Sequence, residues 1–169
     1  GYFAGCFMNW GYAEAAMATR TMLTRVGFRV EAPAVVCCGV PHRAYGDIGA
    51  ALDLARRNVA ALEGYEAIVS DCASCGAALK EYGRLLAGDP VFAERAQRVS
   101  SRVADAAEFL VGQAVAPPQG EVRIRVTWHD PCHLVRGQGV KAQPRQVLRS
   151  IPGVELIEMK GADVCCGSA

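Results

Sequence analysis

Apolar and polar positions along the chain change in a strand-then-helix order. Tyr2–Ala4 is a short apolar run that ends at Gly5-Cys6. From Ala13 to Val26 a helical stripe passes through Ala15, Ala18, Met22 and Val26, with Gly27 where a helix-closing residue belongs. Phe28–Val30 predicts a strand continuing towards Val35-Val36, and Cys37-Cys38-Gly39 follows. Asp47 predicts the cap of a helix whose Ile48, Leu52, Ala55, Val59 and Leu62 share one core face, and Gly64 ends it. Ala67–Val69 predicts the next strand, followed at once by Cys72-Ala-Ser-Cys75-Gly76. Helical patterns then fill Ala77–Leu86 and Val91–Val111.

Residues 116–121, with Pro117-Pro118, read as a linker. Beyond it Val122–Trp128 predicts a strand leading to His129-Asp-Pro-Cys132. Pro144–Ser150 predicts a helix, and Val154–Met159 a strand before Val164-Cys165-Cys166-Gly167. Strands separated by helices predict an α/β fold of tandem βαβ-type repeats with a parallel sheet. The two halves repeat each other. Cys6 and Cys132 are 126 positions apart, and the Cys37-Cys38 and Cys165-Cys166 pairs 128. The expected division is a first unit over 1–115 with five cysteines and a truncated second unit over 122–169. A full second copy would need roughly 60–80 further residues, by analogy with the first.

Composition narrows the chemistry. The 169 residues are 51% hydrophobic and 21% charged, which argues for a packed core rather than disorder. Eighteen Lys+Arg against 17 Asp+Glu, with no basic block, argues against a dedicated nucleic-acid partner. No apolar run is long enough for a transmembrane segment. The chain opens on Gly1 without a signal-peptide pattern and reads as a piece of a longer protein. Neither a Gly-x-Gly-x-x-Gly fingerprint nor a Walker loop is present, so no nucleotide or flavin is expected on the chain itself.

The eight cysteines at 6, 37, 38, 72, 75, 132, 165 and 166 carry the functional signal. Each follows a predicted strand, and parallel sheets gather such loops on one edge where ligands bind. Cys6, Cys37, Cys38, Cys72 and Cys75 are therefore expected to converge. Five thiols exceed the four of a closed zinc site, and soft thiolates suit an iron–sulfur cluster. Zinc, a dithiol or disulfide at Cys72/Cys75, and plain burial as small hydrophobes are the alternatives. His42, His129 and His133 read as capping or solvent-facing groups. Asp130 reads as a turn cap, and Arg136, Lys141 and Arg145 as a solvated face.

On these residues the sequence resembles the cysteine-rich CCG-domain family of iron–sulfur oxidoreductase subunits. His129-Asp-Pro-Cys-His-Leu-Val-Arg-Gly-Gln-Gly-Val140, Ala162-Asp-Val-Cys-Cys-Gly-Ser-Ala169 and Lys80-Glu-Tyr-Gly83 are most similar to the glycolate oxidase iron–sulfur subunit. The lactate-utilisation iron–sulfur protein and a component of anaerobic glycerol-3-phosphate dehydrogenase belong to the same family. The five-cysteine unit is similar to the B subunit of heterodisulfide reductase. The resemblance implies a 4Fe–4S cluster, cubane or non-cubane, on Cys6, Cys37, Cys38, Cys72 and Cys75. It implies a share in a second cluster for Cys132, Cys165 and Cys166. It also implies electron transfer from a flavin-containing 2-hydroxy-acid or glycerol-3-phosphate dehydrogenase subunit towards quinone, with disulfide reduction at the cluster as the alternative. A ferredoxin-type iron–sulfur domain is implied upstream or in a separate subunit. The implied location is the cytoplasm, including the inner face of the cell membrane.

Overall fold

The computed structural model describes residues 1–167; Ser168 and Ala169, the end of the second cysteine run, lie outside the described residues. In chain order the first part contains α1 (Gly5–Gly11), α2 (Ala13–Arg25), α3 (Val40–Ala44) and α4 (Ile48–Leu62). Then come β1 (Ile68–Ser70), α5 (Ala73–Lys80), α6 (Tyr82–Leu85), α7 (Ala93–Ser100), β2 (Val103–Asp105) and α8 (Ala106–Gly112). The chain start lies alongside β1. Phe3 N–H donates to Val69 at 2.8 Å, Val69 N–H to Gly1 at 2.9 Å, and Tyr2 bridges Val69 in parallel. On its other side Tyr2 N–H donates to Glu31 at 2.8 Å. β1 pairs with β2 in parallel, Ile68 opposite Val103 and Ser70 opposite Asp105.

This small parallel layer is buried on both faces, as parallel strands are. The core around it takes in Phe3, Val59, Leu62, Ile68, Leu79, Tyr82 and Val99. α4 supplies much of it. Asp47 Oδ1 accepts the Ala50 N–H at 3.1 Å and starts the helix, and Ala55, Val59 and Leu62 are then fully buried. Burying Val59 or Leu62 contributes roughly 1.5–3 kcal/mol each. Ile48, expected on the same face, is exposed, because the first turn overhangs the core.

Residues 115–123, around Pro117-Pro118, form neither helix nor strand. The second part follows with β3 (Ile124–Val126), α9 (Cys132–Gln138), α10 (Ala142–Ser150) and β4 (Val154–Leu156). β3 and β4 pair in parallel, Ile124 opposite Val154. α9 packs on α5, and α10 on α8, joining the two parts.

The α/β class and the parallel pairing agree with the sequence reading; several local expectations do not. The strands form two two-stranded sheets rather than one. Residues 28–36 run without assigned strand structure. The Val91–Val111 pattern is not one helix. Val103 joins the ladder beside Ile68, and Asp105 and Glu108 form a capping box that starts α8 anew. The helix expected from Ala77 starts at Ala73 and breaks after Lys80. In α2 the inward residues are Ala16 and Leu23, whereas Ala15 and Ala18 are exposed. Alanine is too small to set a face. Leu23, and Thr19 through its bond to Asp71, orient the helix instead. No helix among the described residues is long and apolar enough to cross a membrane.

Candidate functional site

Three local devices present the first five cysteines. Gly5 takes φ +72, turns the chain out of the first extended segment and starts α1 with Cys6 as its second residue. A Cβ at Gly5 would stand 2.9 Å from Cys75 Sγ, so only glycine lets this turn approach that sulfur. Gly39, at φ +86, closes the Cys37-Cys38 turn and leads into α3. β1 delivers Cys72 as the residue before α5, with Cys75 in its first turn. Ser70 Oγ accepts the Cys72 N–H at 3.3 Å. The Asp71 carboxylate is held from behind by Tyr2 Oη and Thr19 Oγ1, each at 2.8 Å.

The five thiols form one chain of neighbours: Cys6 beside Cys37, Cys37 beside Cys38, Cys38 beside Cys75, and Cys75 beside Cys72. Their acidities split accordingly. Burial pushes the Cys37 thiol up to about 11 against the pull of the Gly39 N–H. Donation from the Cys75 thiol, aided by the Val40 N–H, brings Cys38 down to about 7 despite its burial. Cys72 falls to about 6, first through the Cys75 thiol and then against burial with the N–H groups of Cys75 and Ser74. Cys75, the donor to both, is pushed strongly up. The lowered pKa values of Cys38 and Cys72 favour the thiolate, which is the form that binds metal. Among the described residues all eight cysteines are free, and no three His, Cys, Asp or Glu side chains close round a single-ion site.

Two buried residues outside the cysteine pattern hold this arrangement. Asn58 on α4 donates from Nδ2 to the Cys37 carbonyl and to Tyr82 Oη, both at 3.0 Å, and accepts the Val36 N–H at 2.9 Å. Tyr82 Oη donates to the Cys38 carbonyl at 2.9 Å. The sequence signal was available: Asn58 stands between Ala55 and Leu62 on an otherwise apolar core face.

The second set is more open. Cys132 begins α9 and touches Cys165, with Cys166 near both; Cys165 and Cys166 are exposed. Gly167 N–H donates to Cys165 Sγ at 3.4 Å and, with the Cys132 thiol, lowers the Cys165 pKa; Cys132 itself is raised, chiefly by Cys165. The loops carrying these cysteines are tied together. Asp130 N–H donates to Ala162 at 2.7 Å, and His129 Nε2 lies 2.9 Å from the Val164 carbonyl. Arg145 and Asp130 are not the solvated group and turn cap that the sequence suggested. Arg145 is nearly buried and forks onto the buried Asp130 carboxylate at 2.6 and 3.1 Å, because α10 packs across the turn before Cys132. Arg136 is exposed, and Lys141 reaches Asp163 at 4.0 Å. His42 Nδ1 sits 3.4 Å from Asp47, whereas His133 is bonded to Ser74 rather than left to solvent.

Comparison with known proteins fits this geometry. The family described as the CCG cysteine-rich domain matches residues 1–80 and 126–169, two stretches that each hold a Cys-Cys-Gly turn. The chain is 42% identical over 170 residues to the B subunit of the fumarate reductase (CoM/CoB) of Methanothermobacter marburgensis, covering 99% of this chain and 32% of that protein. It is 35% identical to the probable glycolate oxidase iron-sulfur subunit of Bacillus subtilis, over 99% of this chain and 39% of that one. It is 32% identical to lactate utilization protein A of Geobacillus kaustophilus, over 98% of this chain and 70% of that one. The chain thus spans about a third of the first relative and seven-tenths of the third. Matched over most of its length, and carrying both cysteine turns in the matched stretches, the chain belongs to the cysteine-rich CCG-domain family.

Proposed function

We propose that this chain is the cluster-holding part of an iron–sulfur electron-transfer subunit. The observation that carries the reading is the unbroken chain of five thiols, Cys6–Cys37–Cys38–Cys75–Cys72, between two helix starts and a glycine turn. The donor set fits an iron–sulfur group. Adjacent Cys37 and Cys38 reach different atoms of a multi-iron cluster more easily than one ion, and five thiolates exceed what a single zinc takes. The close approach of Gly5 to Cys75 keeps the site free of bulk, and the Gly39 and Val40 N–H groups stabilise sulfur charge.

In this reading the first unit, 1–115, holds a 4Fe–4S cluster on its five cysteines. Cys132, Cys165 and Cys166 of the second unit, 122–169, contribute ligands to another. When bound, such a cluster takes up and returns one electron at a time. The chain's own residues supply thiolates, exclude water at Cys38 and Cys75, and keep the Cys37-Cys38 turn rigid. The partner is a flavin-containing 2-hydroxy-acid or glycerol-3-phosphate dehydrogenase subunit, in the cytoplasm or at the inner face of the cell membrane. The names of the Bacillus and Geobacillus relatives, glycolate oxidase and lactate utilization, support the 2-hydroxy-acid side of that choice. Disulfide reduction at the cluster is the second reading. It is favoured by the 42% identity to the B subunit of a fumarate reductase (CoM/CoB) and by the exposure of Cys6.

The test is iron, acid-labile sulfide and zinc per chain on intact protein purified without oxygen, with an electron paramagnetic resonance spectrum. About four irons and four sulfides at the first unit are expected, and Cys38→Ala lowers that count. One zinc with no sulfide overturns the reading.

A further inference from the structure

We infer that Asn58 and Tyr82 are positioning residues for the Cys37-Cys38 pair, holding the two successive carbonyls so that both sulfurs face the same edge. Consecutive side chains on an extended chain point to opposite sides. For both thiols to serve one site, the backbone between them must be turned and kept turned. Gly39 at φ +86 permits the turn, and the two hydrogen bonds to Cys37 O and Cys38 O hold it.

Burial makes the assignment specific. Asn58 is fully buried and Tyr82 nearly so, in a core of Val59, Leu79 and Leu86. An apolar pair would pack there without desolvating an amide and a phenol. Asn58 uses both ends of its amide, and Tyr82 both donates and accepts. Among the described residues, beyond the bond they share and the one from Val36, every bond their side chains make ends on a cysteine carbonyl. The same device turns the following N–H groups, those of Gly39 and Val40, towards sulfur. This deepens the proposed function, but its first readout needs no metal.

Iodoacetamide labelling of the intact, reduced, metal-free protein, followed cysteine by cysteine by mass spectrometry, tests it. Tyr82→Phe removes the Cys38 bond while keeping the ring. Cys37 and Cys38 are expected to label about tenfold faster, the factor that one hydrogen bond of ordinary net strength allows, with Cys132 unchanged. Ser100→Ala is the control. Its buried hydroxyl links Leu79 O and Gly83 N–H in the same packing region without touching a cysteine. If both variants speed Cys37 and Cys38 alike, or neither does, the two residues are mere packing and the inference falls. In protein that carries iron, Tyr82→Phe also shifts the midpoint potential and the resonance line shape, while Ser100→Ala leaves both in place. Wild-type protein that takes up no iron would sink the proposed function alone, and the labelling comparison would still decide this inference.

Discussion

The ring nitrogen Nδ1 of His133 lies 2.6 Å from the Ser74 hydroxyl, which ties the residue after Cys132 to the turn between Cys72 and Cys75. Further along α9, Gln138 Nε2 donates to the Ala73 carbonyl at 2.9 Å. The helices meet closely enough that a Cβ on Gly137 would stand 3.0 Å from Ala77 Cβ. The two cysteine sets are thus held by one helix seam. Ser74→Ala and His133→Phe should each destabilise by about 1 kcal/mol, and the double variant by less than their sum. Urea unfolding of the four proteins measures this; strict additivity would mean that the bond is not formed.

Gly5 combines a left-handed backbone with a sulfur neighbour. Gly5→Ala meets two penalties: roughly 1 kcal/mol for the backbone, and the displacement of Cys75 Sγ, which sits 2.9 Å from the new carbon. Gly46 has a similar φ of +82 with open space around it, so Gly46→Ala meets the first penalty only. Thermal unfolding should therefore place Gly5→Ala below Gly46→Ala. Only the Gly5 variant should lower iron content.

The approach of the cysteines was legible only in part. Cys72 does follow β1, and the segment before Cys6 bridges β1 at Tyr2, but Cys37 and Cys38 leave a stretch with no assigned strand, so strand topology does not account for them. The face of α4 was legible more directly, since Ala55, Val59 and Leu62 share a helical spacing that few other arrangements explain. β2 was not, because three residues of strand between two amphipathic helices leave no period of their own. Its marker was the Asp105-x-x-Glu108 box, which reads as a helix start only once a break before it is suspected. Asn58, Tyr82 and the Ser74–His133 contact were hidden for another reason. They join positions 21 to 59 residues apart, and no local pattern encodes such a pairing.

Two carboxylates give opposite responses to pH. Arg56 holds Asp89 below the usual carboxylate range, so its contribution is present above the unfolded value and lost as pH falls through the folded one. Burial pushes Asp105 up, so the folded state binds its proton more readily and stability falls as pH rises between the two values. Unfolding measured from pH 3 to 7 should show Asp89→Asn losing part of the rise with pH. Asp105→Asn keeps an oxygen for the Ala107 N–H and removes the buried charge, so its curve should rise more steeply than that of the wild type.

Asp130 and Arg145 form the clasp beneath the second cysteine set. The arginine forks onto both carboxylate oxygens, and its Nε also reaches Glu158 at 3.0 Å. Removing the carboxylate leaves the nearly buried guanidinium with Glu158 and the Lys141 carbonyl, whereas removing the guanidinium leaves a buried carboxylate with, among the described residues, only the Lys141 ammonium in its neighbourhood. Asp130→Asn should thus cost roughly 1.5–3 kcal/mol. Arg145→Lys should recover little of what Arg145→Ala loses, because one ammonium cannot make the two parallel N–H···O bonds to Asp130 and also reach Glu158 as the guanidinium does. Because Asp130 N–H also bonds Ala162, loosening the clasp should separate Cys132 from Cys165. Mild oxidation should then form less of the Cys132–Cys165 disulfide in both Asp130→Asn and Arg145→Lys. Equal yields in all three proteins would mean that the bond to Ala162 alone fixes the two loops.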